Sequence, residues 1–214
     1  MPTKAAVTRA LLDRHGRSFS DELGIPIEKN TPSPLFRLLC FSLLAGARIS
    51  AGIAAQAAKA LSDKGWTTAE KLAASTWRQR TDTLNHAGYA RYDESTSRML
   101  GETASLLLED YRGDLRKLRA EADRDPSAER KLLKRCKGVG DVSVDIFMRE
   151  AQAAWEELYP FADKLALRAA GKLDLGKDAK ALSRRVGRED YPRLVAALVR
   201  CELAGDYEAV RGAR

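Results

Sequence analysis

Apolar residues recur at helical spacing along almost the whole chain. In KAAVTRALLDRH at 4–15, Ala6, Val7, Ala10 and Leu11 fall on one stripe. A turn-rich stretch runs from Gly24 to Pro34, where Ser33 and Pro34 read as the cap and first turn of the next helix. LFRLLCFSLLA at 35–45 is almost continuously apolar and predicts a buried central helix. ISAGIAAQAAKAL at 49–61 predicts a second, with small residues that allow close approach. Thr67-Thr68-Ala69-Glu70 fits a capping box for a short helix ending near Ser75, and Thr76–Asn85 reads as another, stopped by Gly88. Residues 92–110 carry Met99, Leu100, Ala104, Leu107 and Leu108 at helical spacing, before Gly113 breaks the chain. Asp125-Pro126 supplies a cap and a first-turn proline for the following helix. Further helices are predicted over 141–156, 163–172, 177–186 and 190–204. Strand alternation and hairpin dipeptides are nearly absent, so the pattern predicts an all-α fold of roughly ten helices.

Composition narrows the class. The 214 residues suit one compact domain or two small intertwined ones, and 44% hydrophobic with 31% charged residues exclude a disordered chain. No apolar run approaches the ~18 residues of a membrane span, and the N-terminus lacks the apolar core of a secretory signal. Lys and Arg number 37 against 30 Asp and Glu, a net charge of +7. That balance favours a polyanionic partner, nucleic acid ahead of a membrane surface. Cys40, Cys136 and Cys201 are far apart and odd in number, which excludes a disulfide framework and a CxxC-type metal site. With His15 and His86 isolated, no metal and no cofactor are expected. The cysteine usage fits a cytoplasmic, reducing compartment, and the chain is expected to be a monomer.

The most informative segment is LLKRCKGVGDVSVDIFM at 132–148. One helix runs into Gly138-Val139-Gly140 and a second follows, with Val139 anchoring the turn. Backbone amides around the two glycines then lie beside a helix N-terminus, a ready phosphate site. An ordinary helix–turn–helix connection has the same spacing. Lys131, Lys134, Arg135 and Lys137 crowd the approach and favour phosphate, whereas Asp141 opposes it.

This segment resembles the helix-hairpin-helix of the DNA base-excision glycosylases, the endonuclease III superfamily, and the resemblance extends over about residues 33–205. It implies two helical domains: a barrel over 34–153 containing the hairpin at about 132–148, and a second domain from 1–33 plus 154–214, with an interdomain cleft. It further implies that Asp163, after the Tyr159-Pro160-Phe161-Ala162 strip, is the catalytic carboxylate; alone, the residue reads as a helix N-cap. Bifunctional members carry a lysine nucleophile where this chain has Val142, so the resemblance implies a monofunctional enzyme that uses water. The iron–sulfur cluster of endonuclease III has no counterpart, because Cys201 stands alone in its region.

Other positions follow from the same resemblance. Gly138, Val139, Gly140, Lys134 and Lys137 would hold the DNA backbone, with Arg48 and Arg91 as further contacts. Tyr89, in the segment Asn85–Tyr92, would wedge into the hole left by a flipped base. Tyr92 and Asp145, with Trp77 and Trp155, are candidates for the base pocket. The implied activity is excision of a damaged or unusual base from double-stranded DNA, with no membrane partner. The alternative is a DNA-binding protein that keeps the scaffold without the chemistry.

Overall fold

The computed structural model describes residues 2–212, whose regular elements are all helices, with no strand among them. In chain order the helices are α1 (Lys4–His15), α2 (Phe19–Glu22), α3 (Pro32–Ala45), α4 (Ala51–Asp63), α5 (Ala69–Ala73), α6 (Trp77–His86) and α7 (Asp93–Tyr111). They continue with α8 (Leu115–Glu121), α9 (Pro126–Leu133), α10 (Asp141–Ala151), α11 (Lys164–Lys172), α12 (Ala179–Ser183), α13 (Tyr191–Ala204) and α14 (Tyr207–Arg211). Short 3-10 turns occupy Ile27–Lys29 and Glu156–Leu158.

The all-α expectation holds, and the differences lie at helix ends and in three short helices. α3 starts on the Thr31-Pro32 pair rather than on Ser33-Pro34, because Pro32 is equally suited to a first turn. The reciprocal capping box sits at Thr76 and Gln79; Thr68 caps α5 with its hydroxyl alone. α10 stops at Ala151 instead of running to 156, and the short helices α2, α8 and α14 were not anticipated.

The chain divides into two units, one over Leu23–Phe147 and one made of the residues up to Glu22 together with those from Met148 onward. In the first, α3 buries ten of its fourteen residues, so no polar stripe remains and it packs on all sides. α4 lies against it through Ala54, Ala55, Ala57, Ala58 and Leu61. α6 and α7 pair next to α4 and α5 and are tied by the buried Arg80, which donates to the carbonyls of Ser97 (3.0 Å) and Ser75 (2.6 Å). In the second unit α13 is central, with Leu194, Val195, Ala196, Ala197, Leu198 and Val199 buried, and packs against α1 and α11.

Candidate functional site

The hairpin joins α9 to α10, and its two glycines serve different ends. Gly138 has φ of +81°, a conformation that favours glycine, and a Cβ there would meet Met99 Sδ at 2.5 Å. Gly140 has no positive φ, and no heavy atom lies within 4 Å of where its Cβ would sit. The fold therefore requires glycine at 138 but gives no internal reason for it at 140. Val139 and Cys136 are buried beneath the tip, and Thr103 donates to the Lys137 carbonyl at 3.2 Å. Lys137, Gly138, Gly140, Asp141 and Val142 are exposed above it. Val142, at the position the resemblance gives to a lysine, is 59% exposed.

The cations at the approach are largely engaged. Lys134 Nζ pairs with Asp141 at 2.9 Å, Arg135 pairs with Asp110 at 2.7 Å, and Arg130 binds Asp145. Asp141, read from the sequence as opposing phosphate, is thus the partner of Lys134, and Lys131 and Lys137 are the two of the predicted set that make no ion pair among the described residues. Asp145 faces α9 through Arg130, so its carboxylate is engaged within the hairpin rather than directed to a base.

Of the other predicted residues, Tyr89 reaches the C-terminal end of α3. Tyr89 is fully buried and donates its hydroxyl to the Leu44 carbonyl at 2.9 Å. Its ring therefore fills the core and offers no wedge in this conformation, a correction to its expected role. A Cβ on Gly46 would collide with Ser143 Oγ, so glycine lets the end of α3 approach the first turns of α10. Arg48, in the loop after α3, is exposed, as is Arg91, whose guanidinium lies 5.3 Å from the half-buried ring of Tyr92. Trp155 is wholly buried, whereas Trp77 is 41% exposed. Trp77 lines a groove of about 900 Å³ with Arg80, Arg98 and Arg135; of the base-pocket candidates it is the one found there, and Asp163, the hairpin tip, Tyr89 and Tyr92 are not part of the lining.

Asp163 caps α11, accepting from the Ala166 amide at 2.8 Å through Oδ1. Its Oδ2 accepts from Arg149 Nη1 at 2.5 Å, and both side chains are more than nine-tenths buried. Arg149 leaves the last turns of α10, with its guanidinium 5.6 Å from the Phe19 ring centroid and Nε 3.7 Å from Glu150 Oε1. Glu150 Oε2 in turn accepts from the amide and the hydroxyl of Ser20, both at 2.9 Å. Gln152 grips the strip before Asp163 from both sides of one residue. Its Oε1 accepts from the Phe161 amide at 3.0 Å and its Nε2 donates to the Phe161 carbonyl at 3.1 Å. Arg149, Glu150 and Gln152 escaped sequence reading; the available signal was a cluster of long polar residues straight after Phe147 and Met148, where the helix face remains buried.

The arrangement fixes a carboxylate by two hydrogen bonds in a buried cluster of one cation and two anions. Both oxygens already accept a hydrogen bond, which fixes the orientation of the carboxylate. No group of His, Cys, Asp and Glu suited to a metal occurs among the described residues. The three cysteines are free and buried; burial pushes the Cys40 thiol up, and that of Cys136 up to about 12.

No family model matches the chain, and no curated protein sequence does. Among solved structures it is similar to a trapped endonuclease III–DNA covalent intermediate, an estranged-adenine complex, at 15% identity and a TM-score of 0.51. The match covers 94% of this chain and 86% of that one. Identity at this level shows a shared fold, that of an endonuclease III-like helical protein.

Proposed function

We propose that this protein binds duplex DNA and removes a damaged or unusual base by hydrolysing its N-glycosidic bond, with Asp163 as the catalytic carboxylate. The observation that carries the DNA reading is the hairpin tip: an exposed turn whose Gly140 faces open space and whose amides lie beside the start of α10. Room for a strand to approach closely explains a glycine that the fold itself does not need. Contacts of this kind hold the backbone without reading sequence.

Cleavage develops positive charge on the sugar as the bond from C1′ to the base nitrogen breaks and the electron pair leaves with the base. A fixed carboxylate stabilises that charge. Water adds its oxygen to C1′ and releases a proton to solvent. Asp163, with both oxygens engaged, fits the electrostatic role better than that of a general base. With valine at 142, no side-chain amine at that position attacks the sugar, so the product is an abasic site with an intact strand.

A second reading is favoured by one observation. Arg149 offsets the charge of Asp163, as it would in a scaffold that binds DNA without chemistry. Duplex oligonucleotides carrying single lesions, incubated with the protein and then treated with hot alkali, separate the two. Cleavage at one lesion that disappears in Asp163→Asn supports the glycosylase. Binding without cleavage across the panel supports the scaffold, and cleavage that survives in Asp163→Asn removes Asp163 from the mechanism.

A further inference from the structure

The hairpin does not account for the net charge of +7, since Lys134, Arg135 and Arg130 are each bound to an acid there. In the unit formed by the two ends of the chain, many surface cations are likewise paired. Lys4 meets Asp174 at 3.2 Å, Arg14 meets Asp206 at 3.1 Å, Lys172 meets Glu202 at 3.0 Å and Arg193 meets Asp190 at 2.6 Å. One run in that unit differs: KDAKALSRRVGR at 177–188. Lys177, Lys180, Arg184 and Arg188 are all exposed, and none makes an ion pair among the described residues. The acid inside the run, Asp178, is occupied as the cap of α12, accepting from the Ala181 amide at 2.7 Å.

The run is also held in place. Leu175 and Leu182 are fully buried on either side of Lys180. Arg188 lies 4.8 Å over the ring of Tyr159, which meets the buried Tyr191 edge to face at 5.2 Å. Tyr191 donates its hydroxyl back to the Ala179 carbonyl at 3.3 Å. A guanidinium stacked on an aromatic face has lost part of its freedom while its N–H edge stays available, which favours phosphate over free solvation. Lys180, in α12, and Arg184, its C-cap in helical conformation, are four residues apart, a spacing that suits neighbouring phosphates of one strand.

We propose that residues 177–188 form a phosphodiester-binding strip, a second attachment to the DNA backbone that acts independently of the glycine hairpin. The proposal rests on the DNA reading given above. A membrane surface fits less well, because among the described residues the exposed large apolar side chains are Trp77, Val142 and Leu203, and none belongs to the run.

The test measures duplex affinity across a series of salt concentrations for the full chain and for Lys180→Gln/Arg184→Gln. Each phosphate that the protein no longer neutralises lowers the slope of log affinity against log salt by about 0.9, so the double variant should flatten it by about 2 and weaken binding throughout. Lys4→Gln/Arg211→Gln removes the same net charge from other parts of the unit and should leave the slope unchanged. Unaltered thermal melting confirms that the variants fold. Equal flattening by both pairs overturns the strip in favour of net charge alone. An unchanged slope in Lys180→Gln/Arg184→Gln overturns it while leaving DNA binding intact. Strip-dependent binding to phosphatidylserine vesicles without a DNA effect overturns it in favour of a membrane. A wild-type chain that binds no duplex at low salt defeats the DNA reading, and the strip with it.

Discussion

Replacing Gly138 and Gly140 one at a time separates the architecture of the hairpin from its use. In Gly138→Ala the new Cβ sits at φ of +81°, 2.5 Å from Met99 Sδ. The left-handed conformation costs roughly 1–2 kcal/mol for a residue with a side chain. Met99 is flexible and adds less, by turning its thioether aside. The folding equilibrium should fall about tenfold, at ~1.4 kcal/mol per factor of ten. Gly140→Ser meets neither obstacle. Its φ is ordinary, and nothing lies within 4 Å of the added atom. The Gly140 carbonyl accepts the Val144 amide at 3.0 Å, which makes 140 a helix N-cap, where serine is favoured. Stability should stay within about 0.5 kcal/mol of the parent, as for other surface changes. Binding should not. A side chain in the space reserved for a strand removes a charge-assisted hydrogen bond worth about 1.5–3 kcal/mol, or roughly ten- to a hundredfold in affinity. Urea denaturation and fluorescence anisotropy with a labelled duplex at one fixed salt concentration read the two effects separately. A Gly140→Ser protein that binds like the parent would refute the reasoning, because glycine at 140 would then serve no strand.

Three further outcomes are expected. Arg149→Met leaves Asp163 and Glu150 buried without their cation and should cost about 3–5 kcal/mol in denaturant unfolding; Asp163→Ser keeps a cap on α11, so the double variant should recover at least ~1 kcal/mol of the summed loss, and strict additivity would refute the coupling. The Cys136 thiol, raised by burial from its ordinary 9.0 to about 12, stays neutral in the fold while the unfolded chain ionises first. Its contribution to stability is therefore full below pH 9 and lost as pH rises toward 12, so melting temperature should decline over that window; a flat profile counts against it. Val142→Lys, on an exposed first-turn site, should melt like the parent and give a borohydride-trapped complex with any DNA from which the protein releases a base. Release without trapping would show that residue 142 does not reach the sugar.

What could be read from the chain was whatever depends on near neighbours. The apolar run in α3, the Asp125-Pro126 start of α9 and the Gly-Val-Gly turn are local statements, and they reappear as a buried helix, a capped helix and an anchored hairpin. Helix starts were ambiguous where two capping pairs compete, as at Thr31-Pro32 and Ser33-Pro34. Long-range partners were out of reach. Tyr89 looked like a surface wedge because nothing nearby shows that its hydroxyl ends on the carbonyl of Leu44. The role of Glu150 depends on Ser20, 130 residues away, and Lys134 looked free because Asp141 meets it only once the hairpin closes. Asp163 was readable in both of its roles, as a cap from its position and as a catalytic group by resemblance, but its grip by Arg149 was not.

That grip bears on which reading of Asp163 is the better one. Capping α11 needs only a short oxygen-bearing side chain, and serine or threonine would supply it without a buried charge. This chain instead buries an aspartate, an arginine and a glutamate together, each more than nine-tenths covered. Desolvating such groups costs several kcal/mol per ion, and their mutual attraction often does no more than offset it, so stability is a poor reason for the cluster. What the cluster does achieve is geometry. Arg149 fixes one oxygen of Asp163, the Ala166 amide fixes the other, and Gln152 clamps the backbone of Phe161 just before it. Glu150 lies against the same guanidinium and offsets its charge, so Arg149 is shared between two acids beside the start of α11. A carboxylate oriented at both oxygens, with its neighbouring cation offset by a second acid, suits the proposed stabilisation of a developing sugar cation better than a plain helix cap does.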